Sequence, residues 1–229
     1  MYGGAMKRTE IVKNIAGKLA GMRQDHTLRC CVDGMACAGK TVFADELDAA
    51  LKKSGISVIR ASIDGFHNPR EIRRRQGKES PEGYYRDSFN FEAVIKELLE
   101  PLGPGGGGVY KKSVFDYRIE EFTREEPQKS LGGEVLVFDG IFLLRPEIHA
   151  LWDFAIRLEA DCGAVVERAV KRDRAKFGSE DKVKEKYLKR FIPGHKIYED
   201  EVSPSERAHI VIDNTDPAKP VILRQQAAK

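Results

Sequence analysis

The feature of this sequence that most restricts its fold is a glycine-bounded loop between an apolar run and a helical pattern. The apolar run is Leu28–Val32, the loop follows over residues 33–41, and apolar side chains then recur at helical spacing over residues 42–51. A short buried strand that turns through glycines directly into a helix is a unit of layered α/β proteins. The segment therefore predicts a strand–loop–helix step near the start of the chain.

The remainder of the chain repeats this alternation of strands and helices. Apolar runs predict strands at residues 57–63, 135–138, 154–158 and 209–212, and periodic patterns predict helices near residues 9–19, 91–99, 162–175 and 180–190. Such alternation is typical of an α/β fold with a mainly parallel sheet. Neither an internal repeat nor a second-domain boundary is apparent, so we expect residues 1–229 to form one domain.

The composition narrows the classes of partner. The 229 residues include 39 Lys+Arg and 36 Asp+Glu, a balance that argues against binding nucleic acid through bulk charge. No apolar run approaches the roughly 18 residues that a membrane span needs, and the N-terminus shows no apolar signal segment. The four cysteines lack C-x-x-C spacing, which predicts neither a zinc site nor a disulfide framework. We therefore expect a cytoplasmic protein that binds neither membranes nor nucleic acid.

The loop carries the clearest chemical signal. Its pattern, Gly34-x-x-x-x-Gly39-Lys40-Thr41, is that of a phosphate-binding P-loop. Glycines allow successive N–H groups to point at phosphate oxygens, the lysine reaches the β- and γ-phosphates, and the threonine hydroxyl ligates Mg²⁺. The alternative is a plain glycine turn between strand and helix. The predicted nucleotide-binding residues of this glycine loop (residues 34–41) are Gly34, Met35, Ala36, Cys37, Ala38, Gly39, Lys40 and Thr41.

Two aspartates stand where predicted strands end. Asp139 ends the run 135–138, and Asp64 ends the strand 57–63. Ligands of open parallel sheets bind beyond the carboxyl ends of the strands, so both carboxylates are expected at the same crevice as the glycine loop. Asp139 is predicted to hold Mg²⁺ together with Thr41, and Asp64 to orient and deprotonate a hydroxyl acceptor. The alternative for each is an aspartate that begins an Asp-Gly turn.

The chain resembles the uridine kinase family, in the wider group that includes phosphoribulokinase and bacterial pantothenate kinase. The resemblance runs from about Leu28 to Asn214. It rests on segments in a shared order: the glycine loop, residues 63–67, 80–89, 115–118, 137–140, 168–173 and 208–214.

This resemblance implies a three-layer α/β/α P-loop kinase fold with a helical lid, here the lid segment (about residues 163–190). It also implies a kinase that uses ATP and Mg²⁺ to phosphorylate a small-molecule hydroxyl, in first place the 5'-hydroxyl of uridine or cytidine. Asp64, Lys40 and Arg172 are then the catalytic residues, and a homo-oligomer is expected. Arg168 and Arg172 lie four residues apart on one helix face, where both are predicted to contact the ATP phosphates.

The acceptor is expected to bind between two inserts, the first insert (about residues 66–90) and the second insert (about residues 103–123). The predicted substrate-binding residues are Phe66, His67, Tyr84, Tyr85, Asp87, Tyr117 and Arg118. For each aromatic residue the alternative is packing in the core. The basic run Arg70–Arg75 is interpreted as an exposed loop or helix face.

Three other functions stay open at this stage. The chain has His67 and Asp139 where well-studied uridine–cytidine kinases carry Tyr and Glu, so a sugar, pantothenate or another small alcohol is an alternative acceptor. A nucleotide-dependent switch is a less favoured alternative, because no asparagine is followed by lysine as in the guanine-reading N-K-x-D segment. A nucleic-acid binder through residues 70–86 is opposed by the near-zero net charge.

Overall fold

The computed structural model describes residues 6–22 and 24–226. The expectations for the N-terminus and for one domain over residues 1–229 fall partly on residues 1–5, 23 and 227–229, which lie outside the described residues. The strands are β1 (Leu28–Gly34), β2 (Val58–Ser62), β3 (Val109–Tyr110), β4 (Phe115–Asp116), β5 (Glu121–Phe122), β6 (Gln128–Lys129), β7 (Val135–Gly140), β8 (Phe154–Glu159), β9 (Ile210–Asp213) and β10 (Val221–Gln225).

The helices connect these strands across both faces of the sheet. They are α1 (Arg8–Gly21), α2 (Lys40–Lys53), α3 (Arg70–Arg73), α4 (Pro81–Asp87), α5 (Phe91–Val94), α6 (Glu100–Leu102), α7 (Pro146–His149), α8 (Cys162–Phe177), α9 (Glu180–Lys186), α10 (Ile192–Val202) and α11 (Pro204–Arg207). None of the helices in the described ranges is both long and apolar enough to cross a membrane.

Six strands form the central sheet in the order β10-β9-β8-β1-β7-β2. All neighbours pair in parallel except β10, which runs antiparallel to β9. Successive side chains of a strand point to opposite faces, so Cys30 and Val32 enter one core while Cys31 enters the other. Helices α1 and α2 cover the first face, and α10 with residues 91–102 covers the second. The predicted three-layer α/β/α arrangement with a mainly parallel sheet is confirmed.

Two helices contain a π-helical turn that ends two residues before a proline. Residues 95–99 form one such turn ahead of Pro101, and residues 187–191 form the other ahead of Pro193. A proline cannot donate the hydrogen bond of a regular helix, and a π turn changes the local pairing so that the helix continues past it. This explains why the sequence pattern predicted a helix end near residue 190, whereas the structure continues into α10.

The two inserts are joined to each other by a short strand-like contact. Phe66 of the first insert bridges to Phe115 of the second in a parallel pair, while His67 bridges to Phe89 within the first insert in an antiparallel pair. The pairs β3–β6 and β4–β5 form two small antiparallel ribbons that start in the second insert. The first insert is thereby held against the second at the edge of the sheet that carries β2.

Candidate active site

A cavity of about 840 Å³ opens beyond the carboxyl ends of the central strands. The glycine loop follows β1, Asp139 lies in β7, and Asp64 follows β2. Because the sheet order is β1-β7-β2 in this region, these three features lie side by side. The first insert, the tip of the second insert and the lid segment form the remaining walls.

The curl of the glycine loop depends on two glycines. A Cβ at Gly34 would lie 2.5 Å from the carbonyl oxygen of Leu158, so the loop leaves the sheet in close contact with the next strand. Gly39 has a φ of +93°, and a Cβ there would lie 2.5 Å from the Asn214 amide nitrogen. Both positions therefore need glycine because a Cβ would be too close to a neighbouring atom. At Gly39 the left-handed backbone conformation also favours glycine.

The outer side of the glycine loop is braced by distant polar side chains. Asn214 Nδ2 donates to the carbonyl of Ala38 at 2.7 Å, and Arg8 Nη1 donates to Asn214 Oδ1 at 2.8 Å. Arg168 donates to the carbonyl of Cys37 at 3.2 Å and to that of Asn214 at 2.8 Å. Arg168 thus contacts the loop backbone and does not line the cavity, where the sequence had predicted a contact to ATP.

Lys40 extends along the inner side of the same loop. Its Nζ donates to the carbonyl of Met35 at 2.7 Å, and the residue is only 8% exposed. Burial lowers the pKa of the Lys40 ammonium, while the nearby carboxylates Asp139, Asp33 and Asp64 act in the opposite direction. An ammonium has three donors, so a phosphate could accept from those that Met35 leaves.

Thr41 and Asp139 form a close oxygen pair at the start of α2. The Thr41 hydroxyl donates to Asp139 Oδ2 at 2.6 Å. The other carboxylate oxygen, Oδ1, is buried without a well-directed hydrogen bond, although Arg60 Nη2 lies 2.7 Å away. A hydroxyl beside a buried carboxylate is a donor set that suits Mg²⁺, which keeps most of its ligands as water and phosphate oxygens.

Asp64 lines the same cavity as this pair, in a single 3₁₀ turn after β2. The side chain of Ser62 caps that turn by accepting from the Asp64 N–H at 3.4 Å. Ser62 pairs in register with Asp139 of β7, which fixes the spacing of the two carboxylate-bearing strand ends. Among the described residues no side chain donates to the Asp64 carboxylate, which lines the cavity.

His67 lies between two aromatic rings beside Asp64. Its ring centroid is 4.5 Å from that of Phe89 and 4.2 Å from that of Tyr117. Its Nδ1 donates to the Asp64 carbonyl oxygen at 3.0 Å, which leaves Nε2 as an acceptor in the neutral ring. Burial lowers the pKa of His67, so this neutral form is favoured at pH 7.

The predicted substrate-binding residues divide into two groups. His67, Tyr84, Tyr117 and Arg118 line the cavity. Phe66 and Tyr85 are buried in the core and do not line it, as the packing alternative for aromatic residues anticipated.

Asp87 also lies away from the cavity. It is buried, it pairs with Arg75, and it accepts from Gln76 Nε2 at 2.7 Å. It therefore holds the first insert together.

Arg172 lines the cavity from the lid segment, within a small polar cluster. Its Nε donates to Asp173 Oδ1 at 2.8 Å, and its Nη2 donates to the Tyr187 hydroxyl at 3.0 Å. The Tyr187 hydroxyl also lies 3.3 Å from the sulfur of Cys37 in the glycine loop. The hydrogen bond to Asp173 raises the pKa of Arg172, so the Arg172 guanidinium stays positively charged. This cluster places one arginine of the lid segment beside the loop.

Sequence reasoning missed a set of basic residues. The interpretation of Arg70–Arg75 as an exposed loop or helix face fits the exposure of Arg70, Arg74 and Arg75, but Arg70, Arg73 and Arg74 also line the cavity. The sequence shows four arginines within six residues. Which of their side chains reach the cavity depends on how α3 packs, and the sequence alone does not give that packing. The basic lining residues not predicted are Arg70, Arg73, Arg74, Lys78, Lys176, Lys186 and Arg190.

The fold and the cavity define a nucleotide-binding α/β protein of the P-loop class. The family model described as "Phosphoribulokinase / Uridine kinase family" matches residues 30–218. The chain therefore belongs to the phosphoribulokinase/uridine kinase family, and it is a P-loop kinase that phosphorylates a small-molecule hydroxyl. A search among curated proteins finds no match.

Solved structures of related fold support the same architecture. The chain is similar to a possible uridine kinase from Bacillus stearothermophilus, with 19% identity and a TM-score of 0.70 over 88% of this chain and 97% of that one. It is similar to a candidate fructose transport system kinase from Silicibacter sp., with 20% identity and a TM-score of 0.67 over 85% and 95% of the two chains. It is also similar to D-glycerate 3-kinase from Cryptococcus neoformans, with 13% identity and a TM-score of 0.59 over 96% and 100%. At these identities the likeness establishes the fold.

Proposed function

We propose that this chain transfers the γ-phosphate of ATP to an alcohol that Asp64 orients and deprotonates. The observation that carries the proposal is the meeting of three features in one cavity: the glycine loop, the Thr41–Asp139 pair and the Asp64 carboxylate. Each feature alone has a structural explanation. Together they supply a triphosphate cradle, a cation site and a base.

The phosphate side of the reaction is assigned to residues of the glycine loop. Its backbone N–H groups and the positive end of α2 bind the phosphates, and Lys40 neutralises their charge. Thr41 and Asp139 would hold Mg²⁺, which when bound offsets charge on the transferred phosphoryl group. Arg172 approaches from the lid segment and stabilises the same charge as it develops.

The acceptor side is assigned to Asp64. Its carboxylate accepts a hydrogen bond from the acceptor hydroxyl and takes the proton as the oxygen attacks the γ-phosphorus. The bond between that phosphorus and the bridging oxygen breaks, and ADP leaves. The open, unpartnered carboxylate supports this role because no other described side chain in the cavity occupies its acceptor sites.

Two acceptor classes compete within this mechanism. The resemblance to uridine kinases points to the 5'-hydroxyl of uridine or cytidine, and one structural neighbour is a possible uridine kinase. The other class contains sugars, pantothenate and further small alcohols, and neighbours include D-glycerate 3-kinase. The basic residues that line the cavity favour the anionic members of the second class, such as D-glycerate and pantothenate, because neither a nucleoside nor a free sugar carries a negative charge.

The proposal is tested by ADP release from ATP and Mg²⁺ with a panel of uridine, cytidine, fructose, D-glycerate and pantothenate. We expect at least one hydroxyl acceptor to raise ADP release well above the rate without acceptor. If ATP binds but no member of a broad alcohol panel is phosphorylated, the alternative of a nucleotide-dependent switch is favoured.

A further inference from the structure

Basic side chains dominate the lining of the active-site cavity. In the described part of the chain, ten lysine and arginine residues line it, against the four carboxylates Asp64, Glu120, Asp139 and Asp173. Four of the ten have acidic partners: Arg70 and Arg73 pair with Glu120, Lys186 with Glu79, and Arg172 with Asp173. The excess positive charge is therefore concentrated in the residues that remain.

Three of the remaining cations share one wall. Arg74 and Lys78 come from the first insert, and Arg190 comes from the end of the lid segment. Lys186 joins these elements, because its Nζ pairs with Glu79 at 2.8 Å and donates to the carbonyl of Lys78 at 3.3 Å. Within the described ranges no carboxylate lies at salt-bridge distance from Arg74, Lys78 or Arg190.

Arg190 is the least satisfied of the three. Its Nε is buried and has no hydrogen-bond partner among the described residues. Its guanidinium carbon lies 5.2 Å from the ring centroid of Tyr84. Burial and the positive charges of Arg73 and Arg74 lower the pKa of Arg190, yet an arginine stays charged in proteins. A partly buried cation beside other cations is costly unless an anion completes the group.

This wall is distinct from the residues assigned to ATP. Lys40 belongs to the glycine loop, and Arg172 contacts Tyr187 beside that loop. The triphosphate thus has its own cations, and the basic wall lies on the side of the first insert, where the acceptor is expected.

We propose that Arg74, Lys78 and Arg190 form an anion subsite that binds a phosphate or carboxylate group of the acceptor, which is therefore an anionic alcohol. Guanidinium groups offer paired N–H donors that match both kinds of anion. The subsite rests on the proposed function, because its occupant is the same molecule whose hydroxyl group Asp64 orients and deprotonates.

The first experiment measures binding without turnover. Wild-type protein is saturated with Mg²⁺ and a non-hydrolysable ATP analogue, which fills the glycine loop, and is then titrated by calorimetry with inorganic phosphate and, separately, with D-glycerate. We expect at least one probe to bind, and Arg74→Gln and Arg190→Gln each to weaken that binding about tenfold, as expected for one lost charge-assisted contact. Lys196→Gln is the matched control, because Lys196 is exposed on α10 and pairs with Asp200.

Two results of this titration would overturn the subsite. One is that neither probe binds to the saturated wild-type protein. The other is that the Arg74 and Arg190 variants bind the probe as well as the Lys196 control does. Preference for phosphate or for glycerate identifies the anion. Failure of turnover with intact probe binding would count against the proposed function instead, so the two hypotheses are separable.

The second experiment compares acceptors that differ in charge. D-Glycerate is paired with glycerol, pantothenate with pantothenol, and fructose 6-phosphate with fructose, with uridine and cytidine alongside. We expect an anionic member to give the highest kcat/KM, and Arg190→Gln to raise the KM for that acceptor about tenfold while the KM for ATP stays unchanged. A preference for uridine, or a rise in the KM for ATP alone, would contradict the subsite.

Discussion

The glycine loop and the basic wall line the same cavity, yet they are assembled in different ways. The loop is one continuous segment, and its function depends on backbone N–H groups and on two glycines that pack against Leu158 and Asn214. The basic wall combines side chains from the first insert and the lid segment, and Lys186 connects the two. A backbone cradle suits any triphosphate, whereas a side-chain wall can change with the acceptor. The comparison explains how one fold can serve several small-molecule kinases.

The largest effect is expected at Asp64, which lines the same cavity as the two regions. Asp64→Asn keeps the size of the side chain but removes the base, and we expect kcat to fall by about 10²–10⁴ with ATP-analogue binding retained. Steady-state ADP release and calorimetry measure the two quantities. Asp200→Asn on the exposed face of α10 is the control. A rate near that of the wild type would show that another group takes the proton.

Lys40→Ala tests the loop side of the comparison. Because Lys40 acts on the phosphates, we expect kcat/KM for ATP to fall by about 10²–10³ while the relative preference among acceptors is unchanged. The exposed Lys52 of the same helix supplies the control variant Lys52→Ala. Circular dichroism and thermal unfolding verify the fold. Unchanged turnover would remove the kinase assignment of the loop.

Gly39→Ala separates backbone conformation from crowding. The new Cβ would meet Asn214 at 2.5 Å, in addition to the strain of a φ of +93°. Gly55 has a φ of +79° with no atom within 4 Å of a built Cβ, so Gly55→Ala shows the conformational cost alone, about 1–2 kcal/mol. We expect Gly39→Ala to lower the free energy of unfolding by more than this and to weaken ATP binding. Equal destabilisation by both variants would argue that Asn214 moves aside freely.

The smallest effect concerns pH. Burial lowers the pKa of His67, His195 and His209, so the unfolded chain binds protons at a higher pH than the native one. Above about pH 6.5 these histidines are neutral in both states and do not lower the free energy of unfolding. Below that pH the unfolded chain binds more protons, so the free energy of unfolding falls progressively. Chemical unfolding at pH 7.5 and 5.5 should show a lower free energy of unfolding at pH 5.5.

The matched variant for this pH effect is His195→Gln. His195 is buried near Arg157, beside the salt bridge that links Arg157 to Asp33 at the end of β1. With the histidine removed, we expect a smaller loss of stability between pH 7.5 and pH 5.5. An equal or larger loss would assign the pH dependence to other groups.

Much of the fold could be predicted because its signals are local. The strands at 135–138 and 154–158 are apolar runs buried on both faces, and the structure extends them only to Val135–Gly140 and Phe154–Glu159. The helix α10 and the strand β10 were missed. The first follows a π turn before Pro193, and the second is an exposed edge strand whose apolar run, residues 221–223, is only three residues long. A helix that runs through a proline and a strand with so short an apolar run both give weak periodic signals in the sequence.

The cavity was predictable only in part for a related reason. Asp64, Asp139 and the glycine loop are adjacent because strand ends of a parallel sheet meet at one edge, a rule that holds for open parallel sheets in general. Phe66 and Tyr85 lie in the core, and Asp87 is bound by Arg75 and Gln76. Aromatic and acidic side chains can serve a core or a cavity equally well, and their chemistry alone does not decide which.

The sequence by itself determined the glycine loop, because the sign of a φ angle and the supply of N–H groups are properties of a few consecutive residues. Only the tertiary structure decided that Arg74 and Arg190 face the same cavity, because they lie far apart in the chain and meet through the packing of the first insert against the lid segment. Charge acts through space, so the electrostatic character of the acceptor wall appears only when distant segments are brought together.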